Sequence, residues 1–166
     1  MDQKKIYNGK LLSYLERQNF NWLLSFHHRS RHKFIIDFVK KKFNRSDSLN
    51  ILDLGCGPGQ LLELIKEEFR SKNFKYTGVD TSSKFIEIAR KLVDGSNATI
   101  IKQEVSGFIM SAETDSQIIC LLEVVEHMSD SEFHSLISEL KKKKFKCIII
   151  TVPNETGLVL VLKNLI

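Results

Sequence analysis

An apolar segment that runs into three closely spaced glycines constrains the fold of this chain more than any other feature. Ile51 to Leu54 have the composition of a buried strand, and Gly55, Gly57 and Gly59 follow at alternate positions. Glycine lets the backbone turn tightly and lets a ligand approach the main chain where a Cβ would clash. A glycine loop at the carboxyl end of a strand, opening a helix, is how α/β proteins hold nucleotides. We therefore expect an α/β fold with a nucleotide-type ligand at this loop.

An acidic residue follows the loop at the distance that such folds use to bind a ribose. The predicted strand Phe74–Val79 runs into Asp80, which lies 21 positions after Gly59. Nucleotide-binding folds usually carry an acidic residue about 20 residues after the loop, where it bonds a ribose hydroxyl. The order of elements therefore assigns Asp80 to the ribose, and we expect the adjacent Thr81 to contact the cofactor as well.

Two residues near the loop distinguish S-adenosylmethionine from a dinucleotide. The dinucleotide fingerprint requires a small residue at its sixth position, and counting from Gly55 that position is the large, polar Gln60. Asp53, at the end of the predicted strand, would repel a pyrophosphate but attract an ammonium or sulfonium group. Both features favour S-adenosylmethionine over NAD. The segment from Asp53 to Gly59, together with Asp80, resembles the cofactor motifs of class I S-adenosylmethionine-dependent methyltransferases.

The resemblance implies a role for each residue of the motif. The methionine part of the cofactor would be held by Asp53 and by the loop backbone, which comprises Gly55, Cys56, Gly57 and Gly59. Glu104, at the exit of the third predicted strand, stands where the family places an acid near the adenine. We interpret the Cys56 side chain as a small loop filler and not as a nucleophile. Two other functions stay open, a cofactor-binding module without catalysis and a nicotinamide-dependent oxidoreductase.

A second group of polar residues follows the fourth predicted strand. Glu123, Glu126 and His127 have a spacing that resembles the ubiquinone-biosynthesis O-methyltransferases and the small-RNA 2′-O-methyltransferases, which bind a divalent ion here. Ligands of open α/β sheets lie beyond the carboxyl ends of the strands. We therefore predict that Glu123 contacts the cofactor and that Glu126 and His127 are catalytic, with His127 as the candidate base. These three are also weak metal candidates, but no further histidine stands at the expected place and we predict no metal.

The chain alternates strands and helices beyond the first strand. We predict strands at Asn50–Leu54, Phe74–Val79, Ala98–Lys102, Gln117–Leu122 and Lys146–Val152. We predict helices at Gln60–Phe69, Ser82–Leu92 and Asp130–Lys143, with Ser129 and Glu132 as a capping box for the last. This alternation predicts a Rossmann-like, doubly wound, mostly parallel sheet with helices on both faces. Asn154, just after the last strand, is a candidate for binding the substrate.

The two ends of the chain complete the domain prediction. We expect residues 1–49 to form a helical segment that packs on a methyltransferase core at 50–166. Leu11 and Trp22 belong to the apolar positions of one or two N-terminal helices. Ser30 is a candidate cap for a helix with helically spaced apolar positions at Phe34, Ile35, Phe38 and Val39. The last two strands of the family are absent from the sequence, so we expect the core to be C-terminally incomplete.

Composition and charge indicate where the protein is located and what it binds. The 166 residues contain no apolar run of 18, no apolar leader and three cysteines without a close pair, which predicts a cytoplasmic domain without a transmembrane segment. Residues 1–49 carry 11 Lys/Arg and 4 Asp/Glu, and the net charge of the chain is +5. This basic excess fits a solvated helical face, although it is also compatible with an anionic substrate, a membrane surface or nucleic acid. We expect a small-molecule or lipid/sugar acceptor, with nucleic acid less favoured.

Overall fold

The structure of the protein is a computed structural model. It describes residues 6–7, 10–11, 22–43, 48–69, 73–93, 95–111 and 115–152, and the side chains of the first helix from Lys33 onward. Asn154 and the other residues from 153 to 166 lie outside the described residues.

Within the described residues, a five-stranded parallel sheet forms the centre of the fold. Its strands are β3 (Ser48–Leu54), β4 (Asn73–Asp80), β5 (Ala98–Lys102), β6 (Ile118–Leu122) and β7 (Cys147–Thr151). They are arranged in the order β5-β4-β3-β6-β7, and every pairing is parallel. A separate antiparallel pair joins β1 (Ile6–Tyr7) to β2 (Lys10–Leu11). Because parallel strands point the same way, the carboxyl ends of all five strands meet at one edge.

Five α-helices cover the two faces of this sheet in the described part of the chain. They are α1 (Trp22–Phe43), α2 (Gln60–Glu68), α3 (Ser83–Lys91), α4 (Val105–Ser111) and α5 (Asp130–Leu140). Apolar residues of α1, α2 and α3 share one buried cluster with the sheet, and those of α4 and α5 share another. The strands are buried on both faces, which explains their continuous apolar runs. The Rossmann-like, doubly wound fold is therefore confirmed.

The strands and helices predicted from residue 50 onward agree with the structure in existence and type. Ala98–Lys102 has the predicted bounds, and the other strands and helices differ from their predicted bounds by one to three residues at some ends. The capping box is also confirmed, because the Ser129 hydroxyl accepts from the Glu132 amide while the Glu132 carboxylate accepts from the Ser129 amide. The reversal of strand order falls between β3 and β6, where open α/β sheets form a ligand crevice.

Three N-terminal and internal details differ from the prediction. Ser30 does not cap a helix, because α1 begins at Trp22 and continues through it. The capping preference of serine is a weak local signal, which the surrounding helix overrides here. Leu11 lies in the short strand β2 and not in a helix. The helix α4 was not predicted, because its seven residues include Gly107 and are too few to show a clear helical period.

Candidate active site

A cavity of about 610 Å³ opens at the carboxyl edge of the sheet. It brings together nearly all the predicted site residues, namely Asp53, Gly55, Cys56, Gly57, Asp80, Thr81, Glu104, Glu123, Glu126 and His127. Gly59 does not belong to its wall, and Asn154 lies outside the described residues. Residues that are up to 74 positions apart in the chain therefore share one cavity because the strand ends that carry them are adjacent.

The glycine loop turns from β3 into α2 with positive φ angles at Gly55, Gly57 and Gly59. The amide of Gly55 donates to the Val79 carbonyl at 2.7 Å, which fixes the start of the loop against β4. A Cβ built on Gly57 would meet no atom within 4 Å, so the backbone there faces open space inside the cavity. This bare stretch of main chain suits the close approach of a ligand.

Gly59 has a packing role that the sequence pattern did not indicate. A Cβ at this position would lie 2.9 Å from Leu92 Cδ1 and 3.3 Å from Ala89 Cβ. The third glycine of the loop therefore lets the start of α2 pack closely against the end of α3. Gly59 does not line the cavity, and its assignment to the cofactor stays a prediction.

Asp53 is the buried carboxylate of the site, with only 2% of its surface exposed. The Tyr76 hydroxyl donates to its Oδ2 at 2.5 Å, while its Oδ1 has no hydrogen-bond partner among the described residues. Burial raises the pKa of Asp53 to about 7; the Tyr76 hydrogen bond opposes this shift and the nearby Asp80 carboxylate adds to it. A ligand that donates an N–H to Oδ1 would satisfy this group and favour its ionised form.

Tyr76 is a supporting residue that the sequence analysis missed. Tyr76 and Gly78 belong to the same strand. A Cβ at Gly78 would lie 3.0 Å from the Tyr76 ring and 2.9 Å from Cys56 Sγ. The glycine at 78 therefore leaves room for the tyrosine to reach Asp53. The spacing of Tyr76, Gly78 and Asp80 along one strand was the available signal, since alternate residues face the same side. Burial also raises the pKa of the Cys56 thiol, which agrees with a loop filler and not with a nucleophile.

Asp80 connects the glycine loop to the next helix. Its Oδ2 accepts from the Gly57 amide at 2.9 Å, and its Oδ1 accepts from the Ser82 amide at 2.8 Å. Each carboxylate oxygen has a further lone pair, so the side chain can also accept from a ligand hydroxyl in the cavity. Ser82 in turn caps α3 by accepting from the Phe85 amide. Asp80 thus holds the loop in place, and its assignment to the ribose stays a prediction.

The turn after β6 carries Glu123, Glu126 and His127 into the cavity wall. Glu123 has a φ of 58°, which is rare for a residue with a side chain, and its amide donates to the Thr151 carbonyl at 3.0 Å. Glu126 and His127 lie on a short 3₁₀ helix, Val125–His127, and both are exposed. Among the described residues, no three His, Cys, Asp or Glu side chains are grouped to hold a metal ion.

The cavity wall includes further residues to which the sequence gave no role at this site. Phe85 comes from α3, Ser106 from α4, and Ile35 from α1. Glu132, predicted only as part of a capping box, lines the same cavity. An amphipathic pattern marks Ile35 as buried but carries no signal for a ligand, because both core and site positions are apolar.

Comparison with known proteins identifies the family. Residues 51–143, more than half of the chain, match the family described as "Methyltransferase domain". The chain belongs to this family. The match confirms the resemblance to class I S-adenosylmethionine-dependent methyltransferases, and with it S-adenosylmethionine as the cofactor. The residues fit that cofactor, because a buried oxygen of Asp53 lacks a partner among the described residues and the loop at Gly57 faces open space.

Two curated relatives are ubiquinone biosynthesis O-methyltransferases. The enzyme from Rickettsia bellii (strain OSU 85-389) is 30% identical over 130 residues, which cover 76% of this methyltransferase chain and 51% of the relative. The enzyme from Sinorhizobium fredii (strain NBRC 101917 / NGR234) is 32% identical over 108 residues, which cover 60% and 42% of the two chains. The chain thus spans about half the length of the curated relatives that it matches.

Two solved structures share the fold. The methyltransferase domain of bacterial CtHen1 gives a TM-score of 0.65 at 22% identity, covering 78% of this chain and 68% of that one. Magnesium protoporphyrin IX methyltransferase from Synechocystis PCC 6803, solved with bound S-adenosylmethionine, gives 0.63 at 16% identity and covers 93% and 73%. No helix in the described part of this chain has the length and apolarity needed to cross a membrane.

Proposed function

We propose that this methyltransferase domain binds S-adenosylmethionine in the cavity and transfers its methyl group to an oxygen of a small-molecule or lipid/sugar acceptor. The observation that carries the proposal is the buried Asp53 carboxylate beside the open main chain at Gly57. The choice of oxygen as the acceptor atom rests on the relatives, which are named O-methyltransferases. When bound, the cofactor supplies a methyl group that is already activated by a sulfonium.

In this proposal the chain's own residues bind and orient. Asp53 accepts from the cationic ammonium group, and the Tyr76 hydroxyl keeps the carboxylate in place. Asp80 accepts from the ribose hydroxyls while it also accepts from the Gly57 amide, so one carboxylate binds both the loop and the ribose. Glu104 and Glu123 complete the cofactor side of the wall. Alignment of the two reactants lowers the barrier to such a reaction.

We assign the removal of the acceptor hydroxyl proton to a residue of the turn after β6. His127 is the candidate base and Glu126 its acidic neighbour, since both line the cavity and remain open to solvent. A base in hydrogen-bond reach of the acceptor hydroxyl would raise the rate by roughly 10²–10⁴. His127→Gln should therefore lower kcat far more than it changes the affinity for the cofactor.

Calorimetry with S-adenosylhomocysteine and NADH tests the cofactor assignment directly. We expect binding of S-adenosylhomocysteine alone, and weaker binding by Asp53→Asn. The matched control is Asp37→Asn, which changes an exposed carboxylate on α1. Binding of NADH alone would refute the proposal. Transfer of a radiolabelled methyl group to small molecules, lipids or RNA then separates an enzyme from a cofactor-binding module, and metabolite profiling after gene deletion identifies the acceptor.

We also propose that the domain is cytoplasmic. Its three cysteines, Cys56, Cys120 and Cys147, are all buried free thiols. Unpaired cysteines are typical of a reducing compartment, where disulfides do not persist. Fractionation of cells that express a tagged chain tests this, and recovery in a membrane or secreted fraction would contradict it.

A further inference from the structure

The residues that flank Asp53 in the central sheet are both small. Asp53 on β3 is paired with Gly78 on β4 and with Cys120 on β6. Because Gly78 has no side chain, the residue two positions away on the same face of β4 can reach Asp53 diagonally, as long aromatic side chains do in sheets. That residue is Tyr76, whose hydroxyl donates to Asp53 Oδ2. The strand register and the glycine together place this phenol beside the carboxylate.

The glycine at position 78 is explained by this contact and not by its backbone conformation. Gly78 lies in the middle of β4 and does not have a positive φ. A Cβ there would lie 3.0 Å from Tyr76 Cε1, 3.0 Å from Ile100 Cδ1 and 2.9 Å from Cys56 Sγ. A side chain at this position would therefore have to displace the ring that carries the hydroxyl.

Tyr76 approaches Asp53 from the side away from the cavity. Asp53 lines the cavity, whereas Tyr76 has 0% of its surface exposed and does not belong to the wall. Tyr76 also lies two residues before Gly78 on β4, and so about 7 Å further from the carboxyl edge of the sheet. Oδ2 of Asp53 is thus occupied from within the core, and Oδ1, which has no partner among the described residues, is left for a ligand.

The charge of Asp53 depends on this hydrogen bond. Burial raises the pKa of Asp53 to about 7, the Tyr76 hydroxyl opposes the shift, and the Asp80 carboxylate adds to it. The other titratable groups that face Asp53 are the thiols of Cys56 and Cys120, and burial raises the pKa of both, so they stay neutral. Burial also raises the pKa of Tyr76 well above its usual value, so the phenol remains a donor.

We infer that Tyr76 sets the pH range over which the site binds its cofactor, because its hydroxyl holds Asp53 in the ionised form that accepts from the cofactor's ammonium group. This inference rests on the proposed function, since it concerns the same cofactor contact. Tyr76 does not touch the cofactor in this scheme; it is a positioning residue that acts through Asp53. A hydrogen bond to a charged group changes an equilibrium constant by roughly tenfold or more. Loss of the hydroxyl should therefore move the pH range by about one unit.

Tyr76→Phe tests the inference, because it removes the hydroxyl and keeps the ring beside Gly78. In the ligand-free protein, the NMR shift of the Asp53 carboxyl carbon reports its titration, and the midpoint should rise by about one pH unit. Calorimetry with S-adenosylhomocysteine should show the same displacement. Relative to the wild type, the affinity should be about tenfold lower at pH 6, about fivefold lower at pH 7 and nearly equal at pH 9.

Two controls distinguish this effect from a change in packing. Ile100→Val trims another side chain that packs beside Gly78 but leaves the hydrogen bond intact, so neither midpoint should move. In an Asp53→Asn background, Tyr76→Phe should leave the pH profile of binding unchanged, because no carboxyl remains to titrate.

A modified tyrosine tests the same hydrogen bond in a protein of nearly native shape, even if Tyr76→Phe does not fold. The chain has three tyrosines, and replacing them by meta-fluorotyrosine makes each phenol a stronger donor. Both midpoints should then fall in the otherwise unaltered protein and should not move in Tyr76→Phe. Unchanged midpoints in the otherwise unaltered protein would count against the inference.

Equal carboxyl midpoints in the wild type and Tyr76→Phe would overturn the inference. So would an equal displacement in Ile100→Val, which would show that packing sets the ionisation, or a displaced carboxyl titration with an unchanged binding profile. All of these results would leave the proposed function intact. Absence of S-adenosylhomocysteine binding by the wild type at every pH would instead refute the proposed function, and the inference with it.

Discussion

Replacing Asp53 with asparagine tests whether ionisation of this buried carboxyl destabilises the ligand-free protein. The pKa of this buried carboxyl is raised from 3.8 to about 7 in the folded state. Between those pH values the folded protein keeps a proton that the unfolded chain releases, so stability falls as pH rises through this window. Above about pH 7 Asp53 is ionised in both the folded and the unfolded state, so the free energy of unfolding no longer falls.

The size of the effect follows from the shift. A difference of about three pKa units corresponds to about 4 kcal/mol in the free energy of unfolding, at about 1.4 kcal/mol per unit. Roughly 3 kcal/mol of this should develop between pH 5 and pH 8. Asparagine has a similar shape, and its carbonyl can accept the Tyr76 hydroxyl while its amide faces the cavity. The Asp53→Asn protein should therefore be the more stable one at pH 8.

Urea denaturation of the ligand-free protein, followed by circular dichroism from pH 5 to pH 8, measures this difference. The quantity of interest is the free energy of unfolding of Asp53→Asn minus that of the wild type at each pH, because other titrating groups cancel. This difference should grow by about 3 kcal/mol across the range, while Asp37→Asn shows no comparable growth. A difference that stays constant from pH 5 to pH 8 would refute the reasoning.

Four further predictions concern the loop and its ligand. Gly55→Ala should cost about 3 kcal/mol in urea denaturation, since its Cβ would lie 2.3 Å from Val124 Cγ2 at a positive φ, and adding Val124→Ala should recover part of the loss. Gly57→Ala, also at positive φ but in open space, should cost only about 1 kcal/mol and yet weaken S-adenosylhomocysteine binding in calorimetry; unchanged affinity would contradict contact with the loop. The affinity for S-adenosylhomocysteine should fall by up to tenfold per unit as pH drops below about 7, because its ammonium group favours ionised Asp53, and a flat profile would argue against this pairing. Asp80→Ala should weaken binding and also lower stability, because it leaves the Gly57 and Ser82 amides without their acceptor; calorimetry and urea denaturation report the two effects, and unchanged affinity would remove the ribose assignment.

Local patterns in the sequence were enough to predict the fold and the positions of the main site residues. The five strands, their order along the chain and the loop after β3 each leave a signal within about ten residues. Asp53 and Asp80 were identified as candidates for the same reason, since each has a fixed place relative to a strand end, and both line the cavity. The helix α4 was missed because seven residues with an internal glycine are too short for a periodic signal.

The complete lining of the cavity could not be predicted in the same way. Glu132 was predicted only as part of a capping box, because in its own segment it resembles an ordinary acid at the start of a surface helix. Only the tertiary fold, which brings the start of α5 to the cavity at the carboxyl edge of the sheet, makes Glu132 line the same wall as Asp80 and Glu104. The partnership of Tyr76 with Asp53 was missed because the alternation of Tyr76, Gly78 and Asp80 places the tyrosine on a buried face but does not distinguish a hydrogen-bonded tyrosine from a core aromatic residue.

The contact between Gly55 and Val124 has a consequence for engineering this domain. The two residues are in contact across the site, because the Val124 side chain occupies the space that a side chain at position 55 would need. A transplant of the 123–128 turn from another methyltransferase would have to bring a side chain no larger than valine at 124. The glycine loop and the 123–128 turn are therefore interchangeable between homologues only as a matched pair, and we expect exchange of either one alone to displace Glu126 and His127.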